Sequence, residues 1–247
     1  MAKHPLTAAL IVVNVIVFLF IFSFPEAMRV SAFEALSFSW ATKLELWRWL
    51  SSLFVHASAS HLFFNMLGLY FFGKDLEEGT SKARFLSIYF VAGLLGNVAF
   101  MLTDAGSVVG ASGCVFGLLG AAMLLNPSKT VSIYVIPLPL GVVAALFIVI
   151  ETLMASAGAM AITGVAHVAH LAGVVTGAVF ALFIDPKKAA KGLVVLALCM
   201  CLLILLGPLF ELVTGIGSFM LEIIDAVVGF VLYGIARLLS LVWTTVL

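Results

Sequence analysis

The chain has 247 residues, 64% of them hydrophobic and only 10% charged, with a mean hydropathy of +1.28. So little charge cannot coat a soluble domain, which leaves an integral membrane protein. Twelve basic and twelve acidic residues balance, so neither a nucleic-acid partner nor a polybasic membrane patch is indicated. Cys114, Cys199 and Cys201 all lie inside apolar runs and do not form a disulfide framework.

Taken in order, residues 7–23 form an apolar run long enough to span a bilayer, interrupted by Asn14. No charged segment with a small-residue cleavage site precedes it, so it is read as a retained span. Phe24-Pro25 breaks the helix. Residues 25–50 carry Trp40, Trp47 and Trp49 beside Arg29, Lys43 and Arg48, the composition of a loop lying in the headgroup layer. The second span, 51–73, holds His56, His61 and Asn65; a charged turn, 74–82, leads to the third span, 84–103.

The fourth helix, 112–126, is short. At 1.5 Å per residue it covers about 22 Å of a hydrocarbon core about 30 Å thick. If its Lys129 end reaches one interface, Ser112 lies several ångströms below the other. A polar loop entering the membrane there must line a water-filled cavity or be covered by protein, so a wet, recessed pocket above Ser112 is expected. The fifth span is read over 131–154, a small-residue loop over 155–163, the sixth span over 164–184 and a seventh over 191–212. The tail 216–247 reads equally as an eighth span or as a surface helix. The fold class is therefore all-α, a polytopic membrane helix bundle.

Lysine and arginine counts orient it. Lys3, Lys74, Lys82, Arg84, Lys129, Lys187, Lys188 and Lys191 fall on one side, and Arg29, Lys43 and Arg48 on the other, which puts the N-terminus in the cytoplasm. Spans two, four and six then start at the outer face. His61, Asn65, Ser112 and His170 come early in those spans and share one depth.

Ser112 opens a helix between glycines, in Gly110-Ala111-Ser112-Gly113. Main-chain N–H groups and the positive helix end suit a nucleophile and an oxyanion site; small residues at a helix start also serve plain packing. His61 and Asn65, at i and i+4, share a face, and read alone they suit interhelical hydrogen bonding as well as catalysis. His56 faces elsewhere and is read as structural. His170, Gly173 and Gly177 line one side of span six, and Gly113 and Gly117 one side of span four. Two such faces allow close approach and would bring His170 to Ser112 as a general base. His167 fits that face less well and is assigned to packing or local hydrogen bonding.

Trp47-Arg48, His61 with Asn65, Glu77, Gly110-Ala111-Ser112-Gly113, and His170 with Gly173 and Gly177 together resemble the rhomboid intramembrane serine proteases, over roughly residues 5–187. The resemblance implies a six-helix catalytic core, placed at 1–190, with 191–247 adding one or two C-terminal helices. It implies Ser112 as nucleophile and His170 as base, with His61 and Asn65 joining the Ser112 N–H in the oxyanion hole. Trp47-Arg48 would mark the embedded first loop, and Glu77 would pin the end of span two. Transmembrane proteins would be the substrates, cut near the outer face, and the expected location is a prokaryotic cell (inner) membrane. No cofactor or metal is implied. Where family members often carry a tyrosine against which the histidine stacks, this chain has Phe116, which keeps the ring face and loses the hydroxyl.

Spans two, four and six hold no acid placed to orient His170, so a dyad is expected. The 155–163 loop is a candidate lid, and the neighbouring end of span five a candidate lateral gate. A metalloprotease would need His-Glu-x-x-His, whereas His167 and His170 are three apart with no adjacent acid. A transporter would use charges in mid-span, where only Glu151 comes near. The alternative that remains is a catalytically inactive relative that binds transmembrane clients; such proteins typically lack the serine or the histidine, and both are present.

Overall fold

The computed structural model describes residues 4–104, 106–133, 136–156, 165–205, 220–237 and 240. The first helix, α1 (Pro5–Phe22), starts on a proline whose fixed φ suits a first turn. The loop that follows is built: α2 (Glu26–Leu36), the two-residue strand β1 (Phe38–Ser39) and α3 (Leu46–Ser51). Span two begins eight residues later than the apolar pattern suggests. It runs as α4 (Ala59–Gly68), a π-helical turn (Leu69–Gly73) and α5 (Lys74–Gly79), with the Ser58 hydroxyl accepting from the His61 N–H at 3.1 Å as N-cap. Next come α6 (Lys82–Thr103), strand β2 (Ser107–Val108) and α7 (Ser112–Leu125).

The start expected for span five is corrected. Residues Thr130–Ile133 (β3) and Ile136–Pro139 (β4) pair as an antiparallel hairpin, and the helix α8 begins only at Leu140 and runs to Ser156. An apolar, β-branched run reads alike as strand or span, and periodicity does not separate them. Then follow α9 (His167–Ile184), α10 (Pro186–Leu205) and a helix over 220–237, here α11.

Among the described residues, three helices, α1, α6 and α9, are long and apolar enough to cross a bilayer unaided, with α7 and α8 shorter apolar helices. Polarity is distributed as a membrane requires. Ile16, Phe20, Leu102, Val175 and Phe183 point outward, while Asn14, Asn97, Asp75 and Glu151 are buried inside.

α7 is the centre of the bundle, with most of its residues buried. It runs alongside α9 in the same direction and antiparallel to α6, and glycine makes both contacts possible. A methyl group on Gly177 would lie on the Gly117 carbonyl, one on Gly173 on the Gly113 carbonyl, and one on Gly93 on the Cys114 sulfur. The two glycine faces read from the sequence do meet. The tail is helical over 220–237 and packs on α1 and the start of α4. Tyr233 lies 4.9 Å from the Phe22 ring, and Asp225 Oδ1 accepts from the Ser60 N–H at 3.1 Å.

Candidate active site

Ser112 is the first residue of α7 and is half-buried. The chain reaches it through a loop fastened on two sides. Ser107 and Val108 pair with Ser39 and Phe38 of the first loop. Gly110 donates its N–H to the Ser52 carbonyl at 2.8 Å, and Ser52 is itself held by Asn97, whose Nδ2 donates to its hydroxyl at 3.0 Å. Gly110 has φ +121°, a conformation that a side chain strains. Any Cβ there would also strike the His61 ring, 2.6 Å from Nε2.

Ahead of Ser112, Ala111 donates its N–H to His56 Nε2 at 3.4 Å. His56 is thereby a support for the serine loop, the structural role read for it. Nothing among the described residues accepts from the N–H of Ser112 or Gly113, and the Ser112 hydroxyl makes no hydrogen bond among them. These are free helix-start donors at the first turn of α7.

His61 lies on α4 with its ring edge-on to His56, centroids 5.0 Å apart. Its Nδ1 accepts from the Ala57 N–H at 3.4 Å. An accepting Nδ1 leaves the proton of the neutral ring on Nε2, the nitrogen that faces Gly110. Asn65, one turn deeper and buried, donates from Nδ2 to the His61 carbonyl at 2.9 Å. That bond uses one amide hydrogen and leaves the other.

His170 is buried on α9. Its ring stacks flat on Phe116, centroids 4.4 Å apart and planes 8° apart, and Phe116 stands one helical turn beyond Ser112. The stack expected of a phenylalanine at this position is therefore present. Phe147 of α8 meets the Phe116 ring edge-on at 5.6 Å.

One residue of this cluster is absent from the sequence reading of the site. Glu151 of α8 is buried, and its Oε2 lies 2.7 Å from His167 Nδ1, a hydrogen bond, and 2.9 Å from His170 Nδ1. The even-numbered spans hold no acid for His170, as expected, but α8 supplies one. The objection to a metal centre that no acid accompanies the two histidines also falls, since Glu151, His167 and His170 put one ligand atom each within 4.8 Å of one another. The signal for Glu151 was depth. α8 runs opposite to α9, so its late residues stand level with the early residues of α9. The assignment of His167 to local hydrogen bonding holds. Of the candidate lid, 157–163 lies outside the described residues.

At the other end of the bundle, Glu77 Oε1 accepts from the Leu6 N–H at 2.9 Å, and Oε2 from the Thr7 N–H at 2.9 Å and the Thr7 hydroxyl at 2.7 Å. This caps α1 and ties it to α5, which fits the pin expected of Glu77. Lys129 Nζ meets Asp75 Oδ1 at 2.8 Å. In the first loop, Arg48 Nε donates to Glu45 Oε2 at 2.7 Å, and Nη1 donates to the carbonyls of Ser37, at 3.1 Å, and Glu34.

The chain is similar to the "Putative rhomboid protease YdcA" of Bacillus subtilis (strain 168), 37% identical over 83 residues, which is 33% of this chain and 42% of that one. It is similar to "Rhomboid protease GluP" of the same organism, 37% identical over 98 residues, 40% of this chain and 19% of the other. With "Rhomboid protease GlpG" of Yersinia pestis (strain Pestoides F) it shares 26% identity over 192 residues, 76% of this chain and 65% of the relative. The chain thus spans less than two thirds of the length of each. Residues 43–187 match the sequence profile of the Rhomboid domain, and with more than half of its length inside that match this all-α membrane protein belongs to the rhomboid family.

Proposed function

We propose that the protein is an intramembrane serine protease that hydrolyses peptide bonds in or next to transmembrane segments of membrane-protein substrates. Ser112 is the nucleophile and His170 its base. The observation that carries this reading is the flat stack of His170 on Phe116, because it holds the imidazole against the helix that bears Ser112, one turn from that residue. Catalytic hydrogen bonds are commonly long before substrate binds, so the unbonded Ser112 hydroxyl fits a resting site.

In the reaction, His170 takes the hydroxyl proton as Ser112 Oγ attacks the scissile carbonyl carbon. The negative oxygen that forms is met by the Ser112 N–H and by donors from His61 Nε2 and Asn65 Nδ2. His170 then passes its proton to the departing amine, and water hydrolyses the acyl-enzyme by the same route. A peptide bond in an intact helix is shielded by its own hydrogen bonding and by lipid, so the substrate must unwind into the site. Entry between α4 and α8 is part of the proposal; a cross-link joining them that left cleavage unchanged would count against it. We place the N-terminus in the cytoplasm and the site toward the outer face, with 1–190 as the catalytic core and 191–247 as an addition to it.

The test is cleavage of a panel of single-span membrane proteins by purified protein in liposomes. Wild type is expected to cut at least one, and Ser112→Ala and His170→Ala none. Clients that bind equally to wild type and Ser112→Ala without being cut would favour the inactive, client-binding relative.

A further inference from the structure

We propose that Glu151 is a positioning residue for His170, making the site a Ser112–His170–Glu151 relay in which α8 supplies the acid. The inference rests on the serine-protease reading above and adds a third member to its dyad.

The Glu151 carboxylate is buried at a depth where an uncompensated charge costs several kcal/mol. Among the described residues, both groups within reach of its Oε2 are imidazole nitrogens: His167 Nδ1 at 2.7 Å, in hydrogen-bonding alignment, and His170 Nδ1 at 2.9 Å, close but not aligned. His170 is held on its face by Phe116 and approached at Nδ1 by the carboxylate, which leaves Nε2 as the nitrogen free to serve the hydroxyl. A carboxylate at Nδ1 selects the tautomer whose Nε2 lone pair accepts a proton, and it stabilises the imidazolium once that proton arrives. No atoms beyond those of the hydrolysis itself are involved. His167 steadies Glu151, so a small turn of the His170 ring brings Nδ1–H into line. Among the described residues, the charged and titratable groups near His170 are Glu151 from α8, His167 from its own helix and His61 from α4.

The same three residues suggest a metal centre, but the distances favour direct contact. Ligand atoms around a tetrahedral zinc with bonds of about 2.0 Å stand roughly 3.3 Å apart, wider than either separation here.

The experiment measures kcat and KM for a transmembrane substrate with the full chain in liposomes, together with the rate of fluorophosphonate labelling and the thermal unfolding midpoint. Glu151→Gln is expected to lower kcat and the labelling rate about 30- to 100-fold with KM within about twofold. Glu151→Asp, which keeps the charge but shortens its reach, should recover only in part, to a kcat about 5- to 10-fold below wild type. Should Glu151→Gln fail to fold, Glu151→Asp carries the test: a 5- to 10-fold lower kcat at unchanged KM supports the inference, and wild-type kcat overturns it. A raised KM with unchanged kcat would place Glu151 in substrate entry and overturn it, as would activity abolished by EDTA and restored by zinc. An active wild type with a fully active Glu151→Gln ends this inference alone. A wild type that neither cleaves nor labels ends the protease reading, and this inference with it.

Discussion

The two ends of the bundle treat their polar groups in opposite ways. At the Lys129 end most carboxylate oxygens are engaged: Glu77 takes three hydrogen bonds from α1, Glu78 lies 3.4 Å from His4, and Asp75 Oδ1 takes the Lys129 ammonium while its Oδ2 has no partner among the described residues. At the Ser112 end a hydroxyl and two main-chain N–H groups have no partner among the described residues, and the histidines are held by ring contacts as much as by hydrogen bonds. Unsatisfied donors are costly away from water. They persist where the surrounding structure is rigid enough to hold them, and the pinned end and the glycine-packed α7 supply that rigidity. A site for a transient oxyanion needs donors that are fixed and unspent.

The largest effect is expected where α7 is packed. Gly177→Val puts three carbons onto the Gly117 carbonyl and must push α9 away, carrying His170 with it. Overpacking of this kind costs about 1–3 kcal/mol, and cleavage should fall more than 100-fold even in protein that still folds, as judged by thermal unfolding. Wild-type activity would mean that the close α7–α9 approach does not set the site.

Phe116→Ala comes next. Removing the face beneath His170 should lower kcat about 10-fold, whereas Phe116→Tyr should stay within about threefold of wild type, since the stacking surface is kept. Equal losses in both would show that the ring face is not what orients His170.

Glu77 probes the other end. Burial acts to raise its carboxyl, but the hydrogen bonds from the main chain of Thr7 and Leu6 and from the Thr7 hydroxyl outweigh it and hold it below its ordinary value. The stability this lends is present above the unfolded carboxyl value of about 4.3 and is lost as pH falls through the lower folded value. Glu77→Gln should therefore be less stable by about 1 kcal/mol at pH 7, with the two proteins converging below pH 4 and kcat little changed. A loss of kcat without a loss of stability would break the separation between a pinning end and a reacting end.

The smallest effect belongs to Gly234→Ala in α11, where an added methyl meets nothing within 4 Å. Activity and unfolding midpoint should match wild type, which calibrates the glycine changes in the core.

Much of this was legible in the sequence because a bilayer simplifies the reading. Lipid excludes most polar residues, so Ser112, His61, Asn65 and His170 stood out, and antiparallel spans put them at one depth. The glycine faces on α7 and α9 and the flat partner at Phe116 were legible too, since helix periodicity carries them. Four things were less so. The hairpin over 130–139 has the apolar content of a span. The start of α4 is set by the Ser58 cap rather than by hydropathy, which extends back to Ser51. Glu151 lies on α8, which reaches the depth of His170 from below, so the spans that start at the outer face do not reveal it. Asn65 spends one of its amide hydrogens on the His61 carbonyl, a local bond that spacing does not reveal.

The most direct test of the account is labelling of the folded, purified protein by a fluorophosphonate probe, which reacts only with a hydroxyl activated by a neighbouring base. The expected result is covalent labelling of wild type at one site, mapped to Ser112 by mass spectrometry and abolished in Ser112→Ala and His170→Ala. Folded wild-type protein that takes no label, or label that persists in His170→Ala at the wild-type rate, would contradict it.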